Sequence, residues 1–340
     1  MADAQFKVTI DGKDITSALE PVVSAISIKD SSGAASDTAD ITLDDEGGRI
    51  KLPRKGVGIE ISLSTADGLV AAFKGTVDAV RSRGGRGGAE LSITAKGADV
   101  TGGLKELRSR HWDDAKLGAV LDQAARDAGL EGATVDEKFA AQARDYVAQQ
   151  GESFMAFGQR LAREVGGTFK IAGKKAYLIQ RGGGVNARGK ALATVTAEYG
   201  VNLIDWDIAP DVGRTAYGSA GVRVYDPDTG GWTTHTATAK TKRSSAKHKS
   251  RFPAGSASAA AGRAEADAGE VVRHGGSGTV NVLCDPRAKP EGQCVIKGAR
   301  AGIDGTYRIT SVGHAYTRGQ GTETSLELGE PSGTAGVDDR

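Results

Sequence analysis

The chain is short of aromatic residues and cysteine, and it has no long apolar run. Phe, Trp and Tyr together supply 5% of its 340 residues, which suits tight turns between short strands better than a deep aromatic ligand pocket. No apolar run approaches the ~20 residues needed to cross a bilayer. The opening MADAQFKVTIDG also lacks the basic and then apolar segments of a signal peptide, so a protein made and folded in a cytoplasm is expected, with no membrane segment. The 2 cysteines, Cys284 and Cys294, fall in stretches that read as adjacent strands and could face each other across a hairpin. Free buried thiols are the expectation in that compartment. The 5 histidines form no His-Glu-x-x-His, and there is no paired Cys-x-x-Cys, so no metal or other cofactor is expected. A net charge of +1 argues against a protein whose main task is neutralising nucleic-acid phosphates.

Glycine is abundant, at 49 residues. It punctuates a first hundred residues that alternate in strand fashion, with Phe6, Val8 and Ile10 on one face, then Ile26 and Ile28, Ile41 and Leu43, and Ile59, Ile61 and Leu63. The end of the chain reads as a second copy of this beginning. From Pro53 to Gly97 a strand, an FKGTVDAV segment, a glycine-rich turn and AELSITAKG follow one another; from Pro290 to Gly329 the same order returns. Gly75-Thr76 falls on Gly305-Thr306, Val80 on Val312, and Leu91-Ile93 on Leu326-Leu328. Two separated copies of one β unit suggest similar domains that a ring of subunits could use as near-equivalent positions.

Between the copies the period changes. Leu117, Leu121, Ala124 and Ala128 recur at helical spacing, with Asp113 or Asp114 as a cap and Gly129 as a stop. A second helix carries the stripe Phe154, Phe157, Leu161 and Val165, capped by Ser153 and ended at Gly166-Gly167; a hairpin over Thr168 to Gln180 turns at Gly173-Lys174. Residues 101–181 therefore read as an α+β domain set between a first antiparallel β-barrel at 1–100 and a second at 182–330. The second barrel carries a polar basic loop and an Ala-rich helix over about Ser256 to Val272, and 331–340 reads as a flexible tail.

The middle segment, LRSRHWDDAKLGAVLDQAARDAGL followed by YVAQQGESFMAFGQRLAREVGGTFKI, resembles the phage late control gene D family, the tail baseplate hub proteins related to the hub part of the type VI secretion spike. Arg108, Trp112, Gln149 or Gln150, Glu152-Ser153 and Phe157, Leu161, Ala162, Arg163 carry the resemblance. The closing GTYRITSVGHAYTRGQGTETSLEL, with His314, and the opening VTIDGKDITSAL extend it over nearly the whole chain. It implies a homotrimer whose paired barrels make a pseudo-sixfold ring between a tail tube protein and a central spike protein. Such a ring meets baseplate wedge proteins, and the tape-measure protein and DNA pass through it, the DNA without specific binding. The implied location is the virion tail, assembled in the host bacterial cytoplasm. Two alternatives stand beside it: a hub of a bacterial contractile injection or type VI-like apparatus, and a tail-associated cell-wall hydrolase.

No catalytic constellation is expected. Glu152 stands at a helix start, where a carboxylate stabilises the N-terminal end, and no partner acid lies at a defined spacing. Ser219 and Ser277 lack Gly-x-Ser-x-Gly spacing. The glycine clusters at 84–88, 182–184 and 275–278 lack the residues of a phosphate cradle. Trp112, Trp206 and Trp232 read as core or interface anchors. The strongest charge feature is KTKRSSAKHKSR, in which Lys240, Lys242, Arg243, Lys247, Lys249 and Arg251 are either a mobile solvated loop or a docking surface for an acidic partner.

Overall fold

The computed structural model describes residues 5–33, 36–65, 68–97, 102–184, 186, 190–210, 217–239, 246–273 and 276–336. Alternation of apolar and polar side chains sets the first part in strands, because side chains on a strand point to opposite faces in turn. These are β1 (Phe6–Ile10), β2 (Lys13–Asp14), β3 (Val23–Ser31), β4 (Thr38–Asp44), β5 (Gly58–Thr65), β6 (Gly68–Gly85) and β7 (Gly88–Lys96), with the one-turn helix α1 (Thr16–Leu19) before β3. Their inward residues Phe6, Val8, Ile26, Ile41, Leu43, Ile59, Ile61, Leu63 and Leu91 are buried in one core.

The middle segment forms its own core. β8 (Arg108–Lys116) pairs with β10 (Ala143–Glu152), and between them lie α2 (Leu117–Asp127), β9 (Ala133–Val135) and α3 (Glu137–Ala140); α4 (Phe154–Val165), β11 (Gly167–Ala172) and β12 (Lys175–Gln180) follow. Phe154, Phe157, Leu161 and Val165 are buried together with Leu117, Leu121 and Ala124. Ser153 Oγ accepts a hydrogen bond from the Ala156 amide at 3.2 Å, and Gly166 closes α4 in the left-handed region. Asp113 and Asp114 do not cap α2: both lie in β8, and Lys116 takes the cap position without a side-chain bond. The ladder to β10 extends to Lys116 and delays the helix.

The last part contains β13 (Thr194–Glu198), β14 (Leu203–Ala209), β15 (Ser219–Asp226), β16 (Gly231–Thr238), β17 (Lys247–Lys249), α5 (Ala257–Arg273), β18 (Ser277–Leu283), β19 (Gln293–Lys297), β20 (Gly305–Thr317) and β21 (Gly321–Ser332). Val195, Val280, Val282, Cys294, Ile296, Tyr307, Ile309 and Leu326 fill its core. The strands β15, β16 and β17 form a separate three-stranded sheet, on which Ala260 and Ala264 of α5 pack against Val222 and Val224.

Strand order makes the duplication explicit. The first copy runs β3-β4-β7-β6-β5-β1 and the second β14-β18-β21-β20-β19-β13. Irregularities coincide as well: β3 bulges between Val23 and Ala25 where β14 bulges between Leu203 and Asp205, and β6 between Val77 and Ala79 where β20 bulges between Ile309 and Ser311. Val77 is bracketed by backbone bonds to Gly56 and Val57, as Ile309 is by bonds to Glu291 and Gly292. Gly56 and Glu291 both have positive φ, +85° and +72°. The copies differ at their last strand, since β1 runs antiparallel to β5 whereas β13 runs parallel to β19. The segment β15 to α5 occupies the place of the short β3–β4 connection.

The bulges also correct the register. Val80 does correspond to Val312, because each faces its partner across the same hairpin, Ile93 and Leu326 respectively. Leu326 therefore corresponds to Ile93, not Leu91, and Gly75 to Tyr307, not Gly305. A slip of two residues keeps every side chain on its face, so apolar patterning cannot detect it.

The expectation of two closed barrels is not met. Among the described residues no sheet closes on itself. The two copies instead share a 13-stranded sheet, joined where Ser311–Thr317 of β20 pairs antiparallel with Ala25–Ser31 of β3. The outer strand β3 of the first copy meets β20, an inner strand of the second, and strand periodicity does not encode that neighbour. The cysteines do not face each other either: β18 pairs with β14 and β21, and β19 with β13 and β20. Cys294 lies in the second core and Cys284 packs against the first; both are free thiols. At the tail, 331–336 is held down, with the Gly336 amide on Gly302 O at 2.8 Å and Thr334 Oγ1 on Asp304 O at 2.8 Å; residues 337–340 lie outside the described residues.

Candidate functional site

Two ion clusters tie the copies to the middle segment. Glu291, 2% exposed, accepts from Ser32 Oγ, from Thr168 Oγ1 at 2.8 Å and from the Gly182 amide at 2.6 Å, and pairs with Arg308 Nη1 at 2.9 Å. Arg308 Nε also reaches Glu330 at 2.7 Å. Burial alone would push the Glu291 carboxyl up; the Arg308 charge and these donors outweigh it and hold the group below its usual range. Beside it, Lys170 Nζ sits 2.6 Å from both Asp30 and Asp37. Those carboxylates outweigh burial and hold the ammonium above its usual range. Burial and the Asp30 charge push Asp37 up.

This junction borders an open cleft whose walls include Asp30, Asp37, Lys170, Tyr177, Leu192 and Glu291. It holds the paired carboxylates that a wall-degrading enzyme would need, but one lysine clamps both. Glu152 is engaged too: Arg160 Nε lies 2.9 Å from it and Nη1 2.9 Å from Glu164. Among the described residues, no group of His, Cys, Asp and Glu gathers with the spacing of a metal site. No described helix is long and apolar enough to cross a membrane.

The basic run is divided. Lys240, Lys242 and Arg243 lie outside the described residues. Lys247 and Lys249 are exposed on β17, which pairs in parallel with Ser219–Gly221 of β15, so this end is a strand and not the mobile loop expected from its polarity. Between them His248 stacks edge-on against Tyr217 at 5.5 Å, and the Arg251 guanidinium lies over Phe252 at 5.4 Å. At the far end of the same sheet Trp232 is 59% exposed, edge-on to Tyr225 and under Arg223. Trp112 stacks on Phe157 at 5.5 Å, and Trp206 packs partly buried against the second core; these two are anchors as expected, whereas Trp232 is a surface group.

Sequence reading missed the sheet's open edges. Among the described residues β14 pairs with β18 and no other strand, and β6 beyond Val77 with β7 and no other strand. Both edges are exposed and charged, β6 with Arg81 and Arg83, β14 with Asp205 and Asp207. Like charges at alternate positions in VRSRGG and LIDWDIA were the available signal, since they mark one face of a strand.

Solved structures share this architecture. The 43 kDa tail protein of prophage MuSo2 from Shewanella oneidensis superposes with a TM-score of 0.70 at 14% identity, over 95% of this chain and 97% of that one. The c3393 protein of E. coli, a component of the type VI secretion system, gives 0.60 at 13% identity, over 98% and 79%. The fold is that of tail proteins. The model of the phage tail baseplate hub (GPD) family matches residues 35–320, and the chain belongs to that family. A probable baseplate hub protein of Escherichia phage P2 is 31% identical over 192 residues, 56% of this chain and 49% of the relative. The chain spans about half the length of the curated relatives it matches.

Proposed function

We propose that this chain is the structural hub of a phage tail baseplate, a homotrimer in which two similar β copies per subunit form a pseudo-sixfold ring. The ring joins the tail tube protein to the central spike protein, contacts baseplate wedge proteins, and leaves a channel for the tape-measure protein and for DNA that is not specifically bound. Its parts are a first β domain at 1–100, an α+β domain at 101–181 and a second β domain at 182–330. It is assembled in the host cytoplasm and acts by shape, without catalysis. The observation that carries this reading is the repeated strand order with matching bulges, set side by side in one sheet: a molecule that presents one surface twice can meet a sixfold partner with three copies.

The run from Lys240 to Arg251 is the surface offered to an acidic baseplate neighbour. Purified tails probed with an antibody against this chain test the reading, with label expected at the tube–spike junction; tails without it overturn the proposal. The type VI-like neighbour supports a second setting, a bacterial injection apparatus, distinguished by which particle carries the label. A hydrolase would instead clear a peptidoglycan suspension, and no clearing is expected.

A further inference from the structure

We propose that the exposed end of β6 pairs antiparallel with β14 of a second copy of this chain, with Arg83 opposite Asp207. The inference rests on the hub reading and names its subunit contact. Within one chain the junction between the copies is already built: β20 of the second copy lies along β3 of the first. By the matched bulges, β6 is the first copy's counterpart of β20, and β14 is the second copy's counterpart of β3. The same junction is thus made once inside each chain, and among the described residues its two halves stand unpaired a second time, on β6 and on β14. A contact between different edges of identical subunits is head-to-tail, and repeating it generates a ring when the rotation closes.

The intramolecular junction fixes the register of the missing one. Val312 faces Asp30, His314 faces Ile28, Ala315 faces Ser27 and Tyr316 faces Ile26. Carried across the duplication, Val80 faces Pro210, Ser82 faces Ile208, Arg83 faces Asp207 and Gly84 faces Trp206. The faces then agree. Val80 packs on the first core and Trp206 and Ile208 on the second, so by alternation Ser82 and Ile208 share the core-side face, Arg83 and Asp207 the outer one, and the glycine leaves room for the tryptophan. Asp205 comes to the diagonal position, within reach of the same arginine. Pro210 has no amide to give and lies at the end of the edge strand, where the loss is tolerated.

A second correspondence comes from the hairpin turn. The Arg318 amide donates to Ser24 O at 3.0 Å and its guanidinium to Glu20 O at 3.1 Å. Arg86 holds the place of Arg318 in the first copy, and the carbonyls it would meet are those of Ile204 and Gly200. Around these carbonyls the surface is apolar: Tyr199 is 63%, Val201 68%, Ile204 49% and Leu283 56% exposed. An open strand edge flanked by such a patch is an aggregation hazard unless a partner covers it.

The experiment uses the full chain with Ser82→Cys and Ile208→Cys, which leave the charges in place, oxidised in solution while mass is followed by light scattering. The expected result is a disulfide-linked ladder ending in a closed species, absent from either single variant and much weaker when Ser82→Cys is combined with Asp205→Cys. Arg83→Asp or Asp207→Arg alone should weaken assembly by about tenfold or more, and the two together should recover most of it, since like charges placed opposite each other repel. Assembly without the register-specific cross-link overturns this pairing and leaves the hub reading standing. A ladder from Ile208→Cys alone shows β14 meeting itself and overturns it too. A chain that stays monomeric at every concentration also overturns it, while the labelling of tails decides the hub reading separately.

Discussion

Glu291 shows how one residue holds strained backbone in place. Its φ of +72° is a conformation that the first copy assigns to Gly56, and a non-glycine residue there costs of order 1 kcal/mol or more. Bonds to Ser32, Thr168, Gly182 and Arg308 offset that cost and tie three parts of the chain to one carboxylate. Glu291→Gln, which keeps the shape and removes the charge, should cost about 1–3 kcal/mol in denaturant unfolding because Arg308 loses a buried partner. A change within measurement error would show the cluster to be incidental. His314 supplies a pH dependence. It is 2% exposed, its Nδ1 lies 2.9 Å from Thr324 Oγ1, and burial first, then the Lys289 charge, pull its pKa down to about 4, against the weaker upward pull of Asp30 and Asp285. Because the folded value is below the unfolded one, the unfolded chain binds more protons between about pH 6.5 and 4. Stability is therefore full above pH 6.5 and falls by about 3 kcal/mol on acidification through that window. His314→Gln should flatten this fall in urea titrations at a series of pH values, leaving the lower-pH loss that the depressed Glu291 carboxyl contributes.

At the scale of elements, α4 is the part most legible in the sequence, because four apolar positions at helical spacing, a serine cap and a glycine stop all point to one answer. Leu161→Ala should cost about 2–5 kcal/mol, measured by denaturant titration; a loss under half a kilocalorie would show that the stripe is not core. The basic run is the opposite case. Its lack of apolar residues suggests a loop, yet Lys247–Lys249 gains backbone partners from β15, and backbone bonding leaves no trace in side-chain patterning. Replacing Lys240, Lys242, Arg243, Lys247, Lys249 and Arg251 by Ser should leave the thermal midpoint unchanged, since the described members are exposed, and should reduce incorporation into tails, most clearly at low salt where charge attraction is least screened. Normal incorporation would identify the run as a solvated edge only. The duplication was readable from order and composition, but its register was not, because Gly-Thr pairs two residues out of step look alike. The ion cluster at Glu291 was hidden for a different reason: its members are scattered from Ser32 to Glu330, and only the fold brings them together.

For the whole molecule, the consequence of duplication is a sheet whose middle junction, β20 on β3, resembles the contact proposed for β6 and β14 of two copies. The inner junction is intramolecular and permanent, whereas the outer one depends on concentration and, through Arg83 and Asp207, on ionic strength. Hydrogen exchange separates the two. Amides of β3 and β20 along Ala25–Ser31 and Ser311–Thr317 should be slow in every state, because both strands are paired within the chain. The outward amides of β14, and those of β6 from Val80 to Gly85 that are not bonded to β7, should exchange fast in dilute or high-salt monomer and become protected as mass rises. Protection should appear on both edges together, since each pairing covers one of each. If mass rises while these edges remain fast, the copies meet through another surface. If only β14 becomes slow, it pairs with itself, and the repeat of the inner junction around the ring is lost.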